Sequence, residues 1–223
     1  MKLIIEYYNP SDENRQQEYD FCVEKNINSK LFDEVIIFLE TGSKLPEFIT
    51  EHKLVKIIEE ERKTFQNLFD YCDKHFNNEI CVISNTDIIF DNSLKKVTND
   101  NIEGKMFCLT RWDILPNKTI RFFNNAQGIA NYSQDSWIFK TPIKIKDANF
   151  YMGKPGCDNK MVYIAEQSGL VPSNPSMDII TKHLHTSNYR TYTPGGKETV
   201  SPPWWGLTPC KLNKVSEKKI LRN

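Results

Sequence analysis

Apolar and polar positions alternate in blocks along the first half of the chain. Lys2 to Tyr8 is an apolar run that predicts a first strand, left through the turn formers Asn9-Pro10-Ser11. Asp12 to Asn26 has a polar, charged face, with Tyr19, Phe21, Cys22 and Val23 as apolar contacts, and predicts a helix. Glu34 to Glu40, closed by Thr41-Gly42, predicts a second strand and Lys53 to Ile58 a third. From Thr64 onward Phe65, Leu68, Phe69 and Cys72 recur at helical spacing on one face. A fourth strand, Ile80 to Ile83, runs into the polar turn Ser84-Asn85-Thr86-Asp87, after which Ile88, Ile89 and Phe90 resume the apolar pattern. Because parallel neighbours need a crossover, usually a helix, this alternation predicts an α/β fold with a central, mostly parallel sheet flanked by helices.

The second half reads differently. Met106 to Thr110, Ser136 to Phe139 and Ile143 to Ile145 are expected strands separated by loops rich in Asn, Pro and Asp. Pro155-Gly156-Cys157-Asp158 precedes a helix, Asn159 to Gln167, with Met161, Ile164 and Ala165 on one face and Gly169 ending it. Thr181 to His185 is a short alternating strand that places His183 and His185 on one face. From Thr193 the chain, with Pro194-Gly195-Gly196 and Trp204-Trp205, reads as an irregular tail.

Composition narrows the classes. A chain of 223 residues with 39% hydrophobic content and no linker-like stretch predicts one domain with a real core. Its 29 basic and 29 acidic residues cancel, which argues against broad nucleic-acid binding. No run reaches membrane-spanning length, and the start of the chain lacks the pattern of a secretory signal, so a cytoplasmic chain without a membrane span is expected. Six scattered cysteines without a C-x-x-C pair indicate neither a zinc site nor a disulfide framework. There is no G-x-G-x-x-G, Pro194-Gly195-Gly196-Lys197 lacks the rest of a P-loop, and no G-x-S-x-G elbow appears.

The chemistry concentrates where the fourth strand stops, since the carboxyl edge of an α/β sheet is where ligands bind. Asp87 there is either a turn residue or, with Asp91 as a second candidate, a ligand for a hard cation such as Mg²⁺ or Mn²⁺.

Four blocks carry a resemblance: Asn85-Thr86-Asp87, which looks like a D-x-D motif with its first acid replaced; Gln134 to Phe139; Gly156 to Lys160; and His183 to Arg190. Together they resemble the GT-A type of nucleotide-sugar glycosyltransferase, in particular glycosyltransferase domains of large DNA viruses and some microbes, including the N-terminal domain of a chlorovirus multidomain glycosyltransferase. The resemblance implies transfer of a sugar from a UDP-sugar to a glycan acceptor, with inversion, in the cytoplasm of an infected host cell or a microbe. It implies Mn²⁺ or Mg²⁺ held by Asp87 and by His185 or His183, with Asn85 and Thr86 beside the nucleotide. Asp158 becomes the candidate base that takes the acceptor proton, or else the N-cap of its helix. Tyr7, Tyr8, Asn9, Arg62 and Arg111 are expected nucleotide or diphosphate contacts, and Asp135 and Trp137 expected sugar contacts, Trp137 with core filling as its alternative. Residues 1–113 would form the nucleotide-binding half, 114–192 the acceptor side and 193–223 the tail. A metal-dependent nucleotidyltransferase and a catalytically inactive sugar-nucleotide-binding or scaffolding domain remain as alternatives.

Overall fold

The computed structural model describes residues 1–123, 129–187, 189 and 196–221. Asn188 and Arg190 of the last motif block, and Thr193 to Gly195 at the start of the tail, lie outside the described residues. The chain runs β1 (Lys2–Tyr7), α1 (Glu13–Ile27), β2 (Glu34–Glu40), α2 (Glu47–Thr50), β3 (Val55–Glu60), α3 (Phe65–His75), β4 (Ile80–Ser84), β5 (Ile88–Phe90), α4 (Asn99–Ile102), β6 (Lys105–Leu109), β7 (Trp112–Ile114), β8 (Ile120–Phe122), β9 (Ser136–Lys140), α5 (Cys157–Gln167), β10 (Val171–Ser173), β11 (Thr181–His183), β12 (Trp204–Leu207) and β13 (Lys218–Leu221).

Seven strands form the main sheet in the order β10-β6-β9-β4-β1-β2-β3. All its neighbours are parallel except β9, which runs antiparallel to both β4 and β6. The α/β fold with a central, mostly parallel sheet is therefore as expected. Its helices start where local chemistry dictates. Asp12 caps α1 by accepting from the Arg15 N–H, and Thr64 with Asn67 forms a reciprocal capping box on α3.

Strand alternation splits the core into two layers. Leu3, Ile5 and Tyr7 of β1 join Tyr19, Val23 and Ile27 of α1 on one face. Ile4 joins Phe65, Leu68, Phe69 and Cys72 of α3 and Met161, Val162 and Ala165 of α5 on the other.

A second sheet, ordered β5-β11-β7-β8, stands at the carboxyl edge of the first. Its register sets the site: His183 of β11 lies opposite Ile88 of β5, the residue after Asp87, and opposite Asp113 of β7.

Three expectations are corrected. Ile143 to Ile145 forms no strand, because the backbone N–H groups of Ile143 and Lys144 bond the Asp73 carboxylate of α3 at 2.7 and 2.8 Å instead of a ladder. The tail is not wholly irregular: β12 and β13 pair antiparallel, and Trp205 packs edge-on against Tyr163 of α5 with ring centroids 5.3 Å apart. Trp137 offers no face to a sugar. It is 0% exposed in the middle of β9 and sits edge-on to Phe65 at 4.7 Å. Among the described residues no helix is long and apolar enough to cross a membrane.

Trp137 also has a buried indole N–H without a partner among the described residues. Trp137→Ala is expected to cost about 3–5 kcal/mol in chemical denaturation, as for other large aromatic truncations in cores. Trp137→Phe, which keeps much of the volume and removes the orphaned donor, is expected to cost clearly less.

Candidate functional site

A cleft of about 630 Å³ opens at the carboxyl edge of the main sheet, between the ends of β1 to β4, the second sheet and the start of α5. The turn after β4 is built into its floor. Asn85 donates its backbone N–H to the Asp135 carbonyl at 3.0 Å and its side-chain amide to Asp135 Oδ1 at 2.9 Å. The Thr86 hydroxyl donates to the Glu6 carbonyl. Both side chains are spent on holding the turn, which leaves Asp87 projecting.

Asp87 is buried, with Oδ2 bonded to Arg15 of α1 and to His183 Nε2 at 3.2 Å. Its Oδ1 is buried without a hydrogen-bond partner among the described residues. Burial alone would raise this carboxyl, but His183 and Arg15 hold it well below the usual carboxylate range. His183 passes its other ring nitrogen to Asp113 Oδ1 at 3.0 Å. Burial would lower its pKa, and the Asp87 and Asp113 carboxylates reverse that and push it up to about 9.

A cation-holding group fits here. One ligand atom each from Asp87, His183 and His185 lie within 4.8 Å of one another. A bare buried carboxylate oxygen is an expensive group that a cation would satisfy. Asp113 behind His183 is the second carboxylate that a metal-binding imidazole ordinarily leans on. His185 is half-buried and bonds the Tyr189 carbonyl at 2.8 Å through Nε2. Asp91 is not part of the group; it caps the turn at Ser93 and pairs with Lys182 at 3.0 Å.

Asp158 faces the same cleft from the first turn of α5. The N-cap is Gly156 at φ 80°, where a Cβ would come within 3.0 Å of the Trp204 indole, so the capping alternative for Asp158 is not realised. Burial and the nearby Asp135 carboxylate push Asp158 up to about 7. Arg111 joins the two ends of the site: it pairs with Asp113 at 3.0 Å and Asp135 at 3.2 Å, while its guanidinium lies 4.0 Å from the Phe123 ring centroid.

Tyr8, Arg62, Asp135 and His185 all line the cleft. Arg62 reaches it with one amino group bonded to the Met152 carbonyl. Tyr7 borders it, but the side chain is fully buried with its hydroxyl tied to Asp20 and Gln16. Asn9 points elsewhere, fastening Lys44 through bonds of 2.6 and 2.9 Å to that residue's backbone; its expected contact with nucleotide is corrected on that ground.

Arg15, Glu18 and Asp113 belong to the site and were not foreseen in these roles. Arg15, Glu18, Tyr19, Cys22 and Asn26 form one buried stripe at helical spacing on α1. The signal in the sequence is that Arg15 and Glu18 share a helix face with the apolar Tyr19 and Cys22.

No protein-family profile matches the chain and no curated protein matches it. Solved structures do. GalNAc-T7 with UDP, GalNAc and Mn²⁺ is similar at a TM-score of 0.55 and 12% identity, over 90% of this chain and 46% of that one. TarS of S. aureus in complex with UDP-GlcNAc is similar at 0.51 and 13%, over 91% of this chain and 62% of that one. The chain thus spans about half to three fifths of the length of these neighbours. At such identity the likeness establishes the fold, which is GT-A-like.

In chelated, metal-free protein, NMR titration of the four histidines should show His183 losing its proton near pH 9, and Asp87→Asn should lower that midpoint. A folded-state pKa above the unfolded value of about 6.5 means stability that is whole below that pH. It is then lost as pH rises toward 9.

Proposed function

We propose that the chain is a metal-dependent glycosyltransferase that moves a sugar from a nucleoside diphosphate sugar, UDP first, to a glycan hydroxyl with inversion. The observation that carries this reading is the bare Asp87 oxygen beside His183 and His185, in one cleft with a carboxyl of raised pKa at Asp158. The fold-level support is analogical: the GalNAc-T7 structure holds UDP, GalNAc and Mn²⁺, and the TarS structure holds UDP-GlcNAc.

Asp87, His183 and His185 would hold the cation, and two imidazoles favour Mn²⁺ over Mg²⁺. Bound there, it supplies positive charge against the diphosphate leaving group. Asp158 takes the proton of the attacking hydroxyl, and a pKa near the working pH suits a general base. Arg62 and Arg111 are the cationic side chains for diphosphate or sugar, Tyr8 the stacking surface for the base, and Asp135 the acceptor for sugar hydroxyls. Residues 1–113 then serve the nucleotide and 114–192 the acceptor. The four motif blocks further support kinship with glycosyltransferase domains of large DNA viruses, and with it a place in the cytoplasm of an infected host or a microbe.

One observation favours a second reading, an inactive sugar-nucleotide-binding domain: Asn85 replaces an acid, and its amide is bonded to Asp135.

Calorimetric titration of UDP is expected to show binding with Mn²⁺, loss of it with chelator and loss in Asp87→Ala. Asp158→Asn should keep UDP binding and lower sugar transfer or donor hydrolysis by about 10²–10⁴-fold. Binding without turnover of any UDP-sugar would favour the inactive domain. If UDP, GDP and dTDP all fail to bind with Mn²⁺ present, the proposal is wrong.

A further inference from the structure

Helix α1 supplies no candidate ligand, yet its buried face gathers the cation-holding group. Arg15 and Glu18, 5% and 6% exposed, pair at 2.8 Å one turn apart. Arg15 also bonds Asp87, and the Leu184 carbonyl at 3.0 Å. Glu18 Oε1 accepts the Thr186 N–H at 2.6 Å, the Thr186 hydroxyl at 2.8 Å and the Ser187 N–H at 2.9 Å. Its Oε2 accepts the Ser187 hydroxyl at 2.9 Å as well as Arg15. Both carboxylate oxygens are saturated, and every donor except Arg15 comes from the two residues after His185.

That placement matters because the sheet ladder ends at His183. His183 is oriented by strand register and by Asp113, whereas His185 lies beyond the last paired residue. Past the strand, the Leu184 N–H still reaches the Asp87 carbonyl at 3.0 Å, His185 Nε2 bonds the Tyr189 carbonyl at 2.8 Å, and the backbone that follows His185 is fastened by Glu18. Ion pairing this deep contributes little net stability but is strongly directional.

We propose that Glu18 is a positioning residue: it clamps Thr186 and Ser187 onto α1 and thereby aims His185 at the cation shared with Asp87 and His183. The proposal rests on the reading of those three residues as a metal group. Glu18 touches neither cation nor substrate, so its effect belongs to the affinity of the group and the orientation of one ring.

The test uses the full chain with Mn²⁺ alone as probe. Glu18→Ala is expected to weaken Mn²⁺ binding about tenfold or more by calorimetry, the range found for residues behind metal ligands. Glu18→Gln, whose amide oxygen still accepts the backbone N–H groups, should recover part of the loss. In metal-free NMR spectra Glu18→Ala should displace the His185 ring signals and leave those of His52 and His75 in place. If Glu18→Ala does not fold, the Thr186→Val, Ser187→Ala pair removes the two hydroxyl donors and should produce the same changes in smaller measure. A folded variant with unchanged Mn²⁺ affinity and unchanged His185 signals overturns the proposal. Wild-type protein that takes up no Mn²⁺ would instead sink the metal reading, and the His185 signals would still decide whether Glu18 positions that ring.

Discussion

A carboxylate buried at the end of β4 sets the terms for everything around it. Leaving water costs such a charge several kcal/mol, and it persists ionised only when cations and donors surround it. Two parts of the chain provide them. Helix α1 brings Arg15, and the second sheet brings His183 by pairing β11 with β5, the strand that follows Asp87 directly. The small sheet is therefore more than a connection: its register delivers an imidazole to one oxygen of Asp87 and leaves the other bare.

The charges continue from there as a chain. His183 rests on Asp113, Asp113 on Arg111, Arg111 on Asp135, and Asp135 on the Asn85 amide. Each acid along this line has a cation or donor. Asp158 differs: among the described residues it has no ion pair, and its donors are the Gln134 N–H at 3.4 Å and the Cys157 thiol. Arg111 is the cation nearest to hand, and Asp135 and Asp113 already occupy it. Burial and repulsion by Asp135 therefore prevail at Asp158 and keep its proton affinity high. The proposed base owes its basicity to how fully its neighbours are paired.

Much of the fold is legible in the residues because period and composition agree there. Strands β1, β2 and β4 are β-branched runs closed by turn formers, and α3 carries its apolar face and its Thr64 cap in plain view. Ile143 to Ile145 misleads because three residues with strand composition were captured by a side chain, Asp73, that lies far away in sequence. Trp137 misleads in the opposite sense: Asp135, just before β9, lines the cleft, whereas Trp137, inside the strand, is packed away against Phe65. Asp87, His183 and His185, which could hold a cation, could be picked out as types at a strand end. Arg15 and Glu18 could not be joined to them, because contacts across 72 positions, to Asp87, and more than 160, to Leu184 and Thr186, leave no local trace.

Asn85 is where the local pattern and the tertiary charges meet. Read alone it is a weakened D-x-D motif, a lost ligand. In the structure its amide donates to an Asp135 oxygen that Arg111 already shares. An aspartate at that position would lose the amide donor and set a second carboxylate against Asp135, in the same cleft as Asp158. The neutral amide instead donates to Asp135 alongside Arg111. The Asn85 amide thus belongs to the line of charges that runs through Arg111, between β6 and β7, while Asp87 has its own partners in Arg15 of α1 and His183 of β11.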